Sequence, residues 1–370
     1  MEVDAISRPD TPHPVLGLLT DRARNGSTPG LRDDAHRLAL VIEGGGMRGV
    51  VSAGMTAALE RLGLTRCFDV VVGASAGAFN GAGLIAGVAS HGPATYAGPL
   101  ASRSFVNPAR VLVGRPVIDV EYALDYASAD VDAARHERVL DSPIALHCIA
   151  VEVDTARPAA LSGMRTRREL WDALLASSRT PWAGGPPVEI GGRRYIDGGL
   201  GAAIPVAEAV AAGATHVLVL QTRPQGVPRK SVSRIADRLI ERQLRRLNPA
   251  LVPVYRERLP WYERVVDDIA RRSRTPGAGP PHVLGLRPPA GTPVVGQLER
   301  RAPLLAQAAA DAERVVLNGL GPVLSAPAEP APGPRPHRRP RLPRALRPGA
   351  KSPGPAWQSP RPGQDPSGGV

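Results

Sequence analysis

The chain has 370 residues, 43% of them hydrophobic but only 4% aromatic, and a formal net charge of +12. That length fits one large α/β domain or two ordinary ones, with a core filled mainly by Ala, Val and Leu. Cys67 and Cys148 are too few and too far apart for a disulfide framework or a cysteine zinc site, and the longest apolar stretch, 74–89, is too short and Gly-rich to span a bilayer.

Residues 1–36 are polar and contain Pro and Gly, which predicts a flexible N-terminal arm. They show no charged segment followed by an apolar one, so no secretory leader is expected and the default location is cytoplasmic. The run 38–43 reads as a buried strand and 50–62 as the helix after it. A second strand over 68–72 precedes a small-residue helix over 76–89. This order opens a mostly parallel α/β sheet flanked by helices. Residues 90–116 read as irregular, 117–128 as a short helix, 144–153 as a central strand and 167–178 as an amphipathic helix. Gly191-Gly192 splits 188–196 into a hairpin. A helix over 205–212, a strand over 216–220, a basic helical insert over 230–273, a short strand over 283–286 and a closing helix over 298–317 complete the pattern. From 321 to 370 the composition falls to Pro, Arg, Gly and Ser, which predicts a disordered tail.

Lysine occurs only at Lys230 and Lys351, and residues 322–370 carry eight Arg or Lys against two acids. The charge excess is therefore partly in the tail, and it selects neither lipid nor nucleic acid by itself; no nucleic-acid partner is expected. In the insert, Ile235, Leu239, Ile240, Leu244 and Leu247 form an apolar side among arginines. A helix lying on a lipid interface has this pattern, and so does a cover helix with its Arg stems along apolar surface. The cover helix is the reading adopted.

Two glycine motifs carry the chemistry. Gly44, Gly46 and Gly49 fit G-x-G-x-x-G between the first strand and its helix. Gly73-Ala74-Ser75-Ala76-Gly77 is G-x-S-x-G between the second strand and the second helix, the setting of a nucleophile elbow. The first loop can hold a pyrophosphate, or its backbone N–H groups can form an oxyanion hole for Ser75. A dinucleotide site wants an acid at the end of the second strand. The acid in range, Asp69, stands at the beginning. No Gly-Lys-Ser/Thr follows the loop, so a P-loop is excluded. Among the histidines, His216 and His282 precede strands and fall at the amino edge, His147 lies within a strand, and His91 and His136 have no motif around them. None stands out as a base for Ser75. Asp197, followed by Gly198 and Gly199, leaves the hairpin into a tight turn, which on its own is a common turn pair.

Taken in order, Gly44–Gly49, Gly73–Gly77 and Asp197-Gly198-Gly199, with Ala176-Ser177-Ser178 through Pro181 and Ile204-Pro205-Val206, resemble the patatin-like phospholipase family over residues 37–320. The resemblance implies a patatin-like three-layer sandwich. It also implies hydrolysis of lipid acyl esters, of phospholipase A or lysophospholipase type, through a Ser–Asp dyad. Ser75 would be the nucleophile and Asp197 the base. Gly44, Gly45, Gly46 and Arg48 would form the oxyanion hole, with no metal or cofactor. Arg48 has two readings, facing a lipid phosphate or bracing the loop, and bracing is adopted. The partners expected are a lipid acyl ester and, transiently, a membrane surface. The readings set against this one are a nucleotide-binding protein using the glycine loop and a non-catalytic membrane-associated binding protein.

Overall fold

A computed structural model describes residues 12–129, 134–181, 183–229, 233–277 and 279–325. In chain order the elements are α1 (Pro14–Arg24), β1 (Leu38–Ile42), α2 (Gly49–Arg61), β2 (Val70–Ala74), α3 (Ala76–Ile85), α4 (Gly92–Ala97), α5 (Val120–Ala129), α6 (Ala134–Leu140), β3 (Ala145–Glu152), β4 (Arg157–Leu161), α7 (Arg167–Ser178), β5 (Val188–Ile190), β6 (Arg193–Asp197), α8 (Val206–Ala211), β7 (His216–Leu220), α9 (Arg234–Leu247), α10 (Leu251–Arg274), β8 (His282–Leu286) and α11 (Ala302–Ser325). Eight strands form one sheet in the order β5-β6-β3-β2-β1-β7-β8, with β4 added to β3.

The strands from β3 through β8 in that order are parallel, and β4, β6 and β5 are antiparallel additions. Every residue of β1, β2 and β7 is buried, because helices cover both faces. Leu38, Leu40 and Ile42 pack with α1, α2 and α11. Ala39 and Val41 point the other way, toward α8 and α10. This is the expected three-layer α/β sandwich.

The register around β3 joins two distant parts of the chain. β4 occupies one edge of β3 from Cys148 to Glu152. β2 and β6 must therefore share the other edge. β2 pairs with it up to Ala74↔Ile149, and β6 takes over at Ala150↔Asp197. The two strands meet head to head, so the residue after β2 and the last residue of β6 are brought together.

The expected arm over residues 1–36 does not describe residues 12–36. His13 begins α1 by accepting the Val15 N–H, and Val15, Leu16, Leu18 and Leu19 enter the core. The helix is also held by charge. Arg22, 2% exposed, donates to Asp34 (3.0 and 2.8 Å), to Asp69 (2.7 Å) and to the carbonyls of Cys67 and His36. Asp69 also receives Arg32 and the Leu38 N–H. The polar look of this segment comes from residues that pair with one another inside the fold. Residues 1–11 and 326–370 lie outside the described residues, while 321–325 extend α11.

The insert is likewise part of the domain. Tyr262, Val265, Val266 and Ile269 of α10 form core under the sheet. In α9, Ile240 and Leu244 are buried, but Ile235 and Leu239 are 72% and 62% exposed, so the cover reading holds for only part of its stripe. Strand β4 has no counterpart in the sequence pattern; its RPAAL sequence contains a proline and lies at a sheet edge, where the missing N–H costs nothing. Among the described residues no helix is long and apolar enough to cross a membrane.

Removing Arg22 leaves two carboxylates facing a buried gap. Arg22→Ala is expected to lower the free energy of unfolding by about 3–5 kcal/mol in a urea titration, whereas Arg168→Ala, an exposed member of an i,i+4 pair, is expected to change it by less than about 0.5 kcal/mol. A loss below about 1 kcal/mol for Arg22→Ala contradicts the assigned role of α1.

Candidate active site

In a parallel sheet the loops that follow the strands gather at the carboxyl edge. Here that edge carries the glycine loop after β1, Ser75 after β2 and the segment 221–229 after β7. The head-to-head meeting of β2 and β6 adds Asp197. The glycine loop, Ser75, Arg229 at the end of that segment and Asp197 line one cleft of about 740 Å³, whose walls are mostly apolar and include Phe79, Leu100, Phe105 and Ile240.

Ser75 has φ 54° and ψ −125°, a conformation that non-glycine residues seldom adopt and that costs about 1–3 kcal/mol. The surroundings hold it there. Its N–H donates to the Ser177 hydroxyl (2.9 Å), which in turn donates to the Ile149 carbonyl (2.6 Å). Asn80, one turn into α3, donates to the Gly49 carbonyl (2.8 Å) and to Ser52 (2.9 Å), which fixes α3 against α2. Gly77 lies so close to the end of β1 that a Cβ there would strike the Ile42 carbonyl. The turn thus presents the Ser75 side chain at the N-terminus of α3, where backbone N–H groups favour negative charge.

Asp197 is 8% exposed, and its two oxygens have separate partners. Oδ1 accepts the Gly199 N–H (2.6 Å) and Oδ2 accepts the Thr180 hydroxyl (3.0 Å). Its own N–H donates to the Arg179 carbonyl (3.1 Å). Burial pushes the carboxyl above its ordinary range, opposed by hydrogen bonds from Gly199, Ser75 and Thr180 and by the positive charge of Arg229. No histidine is among these partners. His216 lies at the opposite edge of the sheet, its ring 4.8 Å from that of His36 and 5.0 Å from that of His282. His91 lines the cleft but faces Arg135.

The glycine loop divides its N–H groups. Gly44 donates to the Ala203 carbonyl (3.2 Å) and Arg48 to the Gly45 carbonyl (3.2 Å). Two of the four residues expected in the oxyanion hole therefore have their backbone donors committed elsewhere. Gly45 and Gly46 keep theirs free among the described residues and line the cleft. Gly46 has φ 57°, and a Cβ there would lie 2.7 Å from the Gln297 carbonyl, so the position needs glycine twice over. The Arg48 side chain braces the loop as expected. Its Nε donates to Thr222 (3.0 Å) and its Nη2 lies 3.7 Å from Glu43, which is itself fully buried and accepts the Thr222 N–H and the Tyr262 hydroxyl. Asp69, the only acid in range for a ribose, is bound to Arg22 and Arg32 at the far edge.

Residues 40–210 match the model of the family described as patatin-like phospholipase. Over this stretch the chain is similar to patatin-like phospholipase domains. At family level such a domain implies hydrolysis of lipid acyl esters. The chain is 31% identical over 192 residues to the uncharacterized protein YjjU of Escherichia coli strain K12, a match covering 51% of this chain and 52% of that one. The chain thus spans about half the length of the curated relative it matches. Among solved structures, VipD from Legionella pneumophila matches with a TM-score of 0.38 at 13% identity, covering 78% of this chain and 66% of that one.

Several residues of this site escape sequence reasoning. Ser177 sits in a recognisable block, but its tie to Ser75 spans 102 positions. Thr180 lies in the same block without being singled out, and Asn80 carries no motif. Ala76 is the first residue of α3, so its N–H has no acceptor within the helix, and it lines the cleft beside Ser75. That donor is legible from the elbow motif itself.

The Asp197 environment makes a prediction that needs no substrate. Followed by carboxyl carbon NMR, Asp197 is expected to titrate above the ordinary range near 3.9. Thr180→Val removes a donor to the charged form and is expected to raise the midpoint further. A midpoint at or below the ordinary value, or a fall in Thr180→Val, contradicts the balance described.

Proposed function

We propose that the protein is a lipid acyl hydrolase of phospholipase A or lysophospholipase type, acting through a Ser75–Asp197 dyad and an acyl-enzyme. The observation that carries this reading is the backbone-strained Ser75 facing the buried Asp197 at the head of an apolar cleft. Such strain at a hydroxyl beside a carboxylate with a raised pKa is a signature of a working nucleophile.

The reaction follows from the groups present. The Ser75 hydroxyl attacks the ester carbonyl while Asp197 takes its proton. Negative charge develops on the carbonyl oxygen and is met by the N–H groups of Gly45, Gly46 and Ala76, each such donor contributing about 2.7–4 kcal/mol to the transition state. Collapse of the tetrahedral species expels the alcohol, which recovers the proton from Asp197. Water, deprotonated in the same way, then releases the fatty acid. An ordinary carboxylate is a poor base for a hydroxyl. Burial improves it by raising its pKa, and the backbone donors offset most of the remaining mismatch by stabilising the product charge.

The apolar cleft suits an acyl chain. Ile235 and Leu239 stand exposed on α9, whose Ala236 and Ile240 line the cleft, and the partly exposed Leu298 lines it too. This mouth is the part of the surface we assign to transient contact with lipid. The alternative of a dinucleotide in the glycine loop has against it that Ser75 and Ala76 fill the end of β2 where the ribose would be bound.

Purified protein is expected to release fatty acid from lysophospholipid. Ser75→Ala and Asp197→Asn are each expected to reduce kcat/KM by at least roughly 10³-fold while leaving the circular dichroism spectrum unchanged. Full activity in Ser75→Ala contradicts the mechanism, and NAD(P) binding in calorimetry favours the alternative.

A further inference from the structure

β7 ends at Leu220, and the chain then runs through Gln221, Thr222 and Arg223 to Arg229 along the rim that holds the glycine loop. Three guanidinium groups come together there: Arg48, Arg223 and Arg229. Each of the other two pushes against the charge of Arg48, and Arg223 pushes against that of Arg229. Two carboxylates face them: Glu43, whose Oε2 already accepts the Thr222 N–H (2.6 Å) and whose Oε1 accepts the Tyr262 hydroxyl (3.0 Å), and Asp197, whose carboxyl feels the positive charge of Arg229 across the cleft. Glu263 receives the Arg229 backbone N–H (3.1 Å).

Among the described residues neither Arg223 nor Arg229 forms an ion pair. Arg223 is 9% exposed, and its Nε is buried without an acceptor; so is Nη1 of Arg229. Arg229 lies 5.3 Å over the Tyr262 ring, a contact that uses its face and leaves its N–H edge unspent. A cavity of about 420 Å³ has Arg48 and Arg223 in its wall, while Arg229 lines the acyl cleft; the two spaces share Arg48, Gln297 and Leu298 as their common wall. The segment is held in place from behind, since Arg287 donates to the carbonyls of Arg223 (2.7 Å) and Pro224 (3.0 Å).

Buried cations with unused donors are costly unless an anion joins them. Two guanidinium forks call for an anion with more than one charge and more than two acceptor oxygens. A carboxylate supplies one charge and two oxygens, whereas a phosphate monoester meets both needs. We propose that Arg223 and Arg229 form a binding site for a phosphate group beside the acyl cleft. Resting on the hydrolase reading, the occupant is the phosphate of an acyl-ester substrate, its acyl chain in the cleft and its phosphate where the cleft, lined by Arg229, adjoins the cavity lined by Arg223; free phosphate is the other source of the same chemistry. Arg48, committed to Glu43 and Thr222, frames the site without serving as its arm.

The test titrates glycerol 3-phosphate and inorganic phosphate into the wild-type protein, Arg223→Gln and Arg223→Lys by calorimetry at low ionic strength. It also compares kcat/KM for 1-oleoyl-glycerol-3-phosphate with that for 1-oleoylglycerol. Glycerol 3-phosphate is expected to bind the wild type and to bind Arg223→Gln roughly tenfold more weakly or worse, with Arg223→Lys between them. The kcat/KM ratio of phosphorylated to unphosphorylated ester is expected to fall by a similar factor in Arg223→Gln. Arg223-dependent phosphate binding with an unchanged ratio supports the site with free phosphate as its source. Arg223-dependent binding without turnover of either ester supports the phosphate site and overturns the hydrolase reading alone. Absence of binding by both probes, or equal binding to wild type and to folded Arg223→Gln, overturns the proposal.

Discussion

The site depends on one edge of one strand. β3 is bordered on one side by β4 along its carboxyl half, so its other side must serve both β2 and β6. These arrive from opposite directions and stop against each other between Ile149 and Ala150. The chain must turn away at both ends, and it does so at Ser75 and at Asp197-Gly198. A serine and an aspartate 122 positions apart in the chain thus become neighbours through backbone hydrogen bonding, before any attraction between the side chains counts. Ser177 strengthens this by bonding the Ser75 N–H and the Ile149 carbonyl together.

Around that junction the fold places costs that a purely structural turn would avoid. Ser75 keeps a strained backbone, Asp197 sits buried among hydrogen bonds from Gly199, Thr180 and Ser75, and unsatisfied N–H groups of Gly45 and Gly46 line the same cleft. The parallel sheet explains why these features coincide. Its carboxyl edge collects loops, helix N-termini and their partial positive charge in one place. In the proposed reaction those costs become useful only when an ester carbonyl arrives. The cluster of arginines after β7 belongs to the same edge and extends the same electrostatic bias from a short-lived oxyanion to a lasting anion.

Much of this is legible in the sequence where periodicity and glycine spacing report local geometry. The helix over 167–178 and the strand over 216–220 fall where the patterns put them, and the two glycine motifs flank strands as their chemistry requires. What is illegible depends on partners distant in the chain. Residues 12–36 look like a solvated arm because residues such as Arg22 and Asp34 are charged, and only the fold shows these bonded to each other and to the distant Asp69. The glycine loop shows that donors will be present, but not which will be spent. The Gly44 N–H goes to Ala203 and the Arg48 N–H to Gly45, leaving Gly45 and Gly46. The apolar stripe of α9 likewise cannot say that Ile240 is buried and Ile235 left exposed.

The central claim is that Ser75 is a nucleophile activated where β2 and β6 meet. A fluorophosphonate probe carrying an alkyl chain tests it without assuming a substrate. Intact-mass spectrometry of the full chain is expected to show a single adduct, mapped to Ser75 by peptide analysis, absent in Ser75→Ala and formed much more slowly in Asp197→Asn. Labelling that survives in Ser75→Ala, or that proceeds at an unchanged rate in Asp197→Asn, would contradict the account.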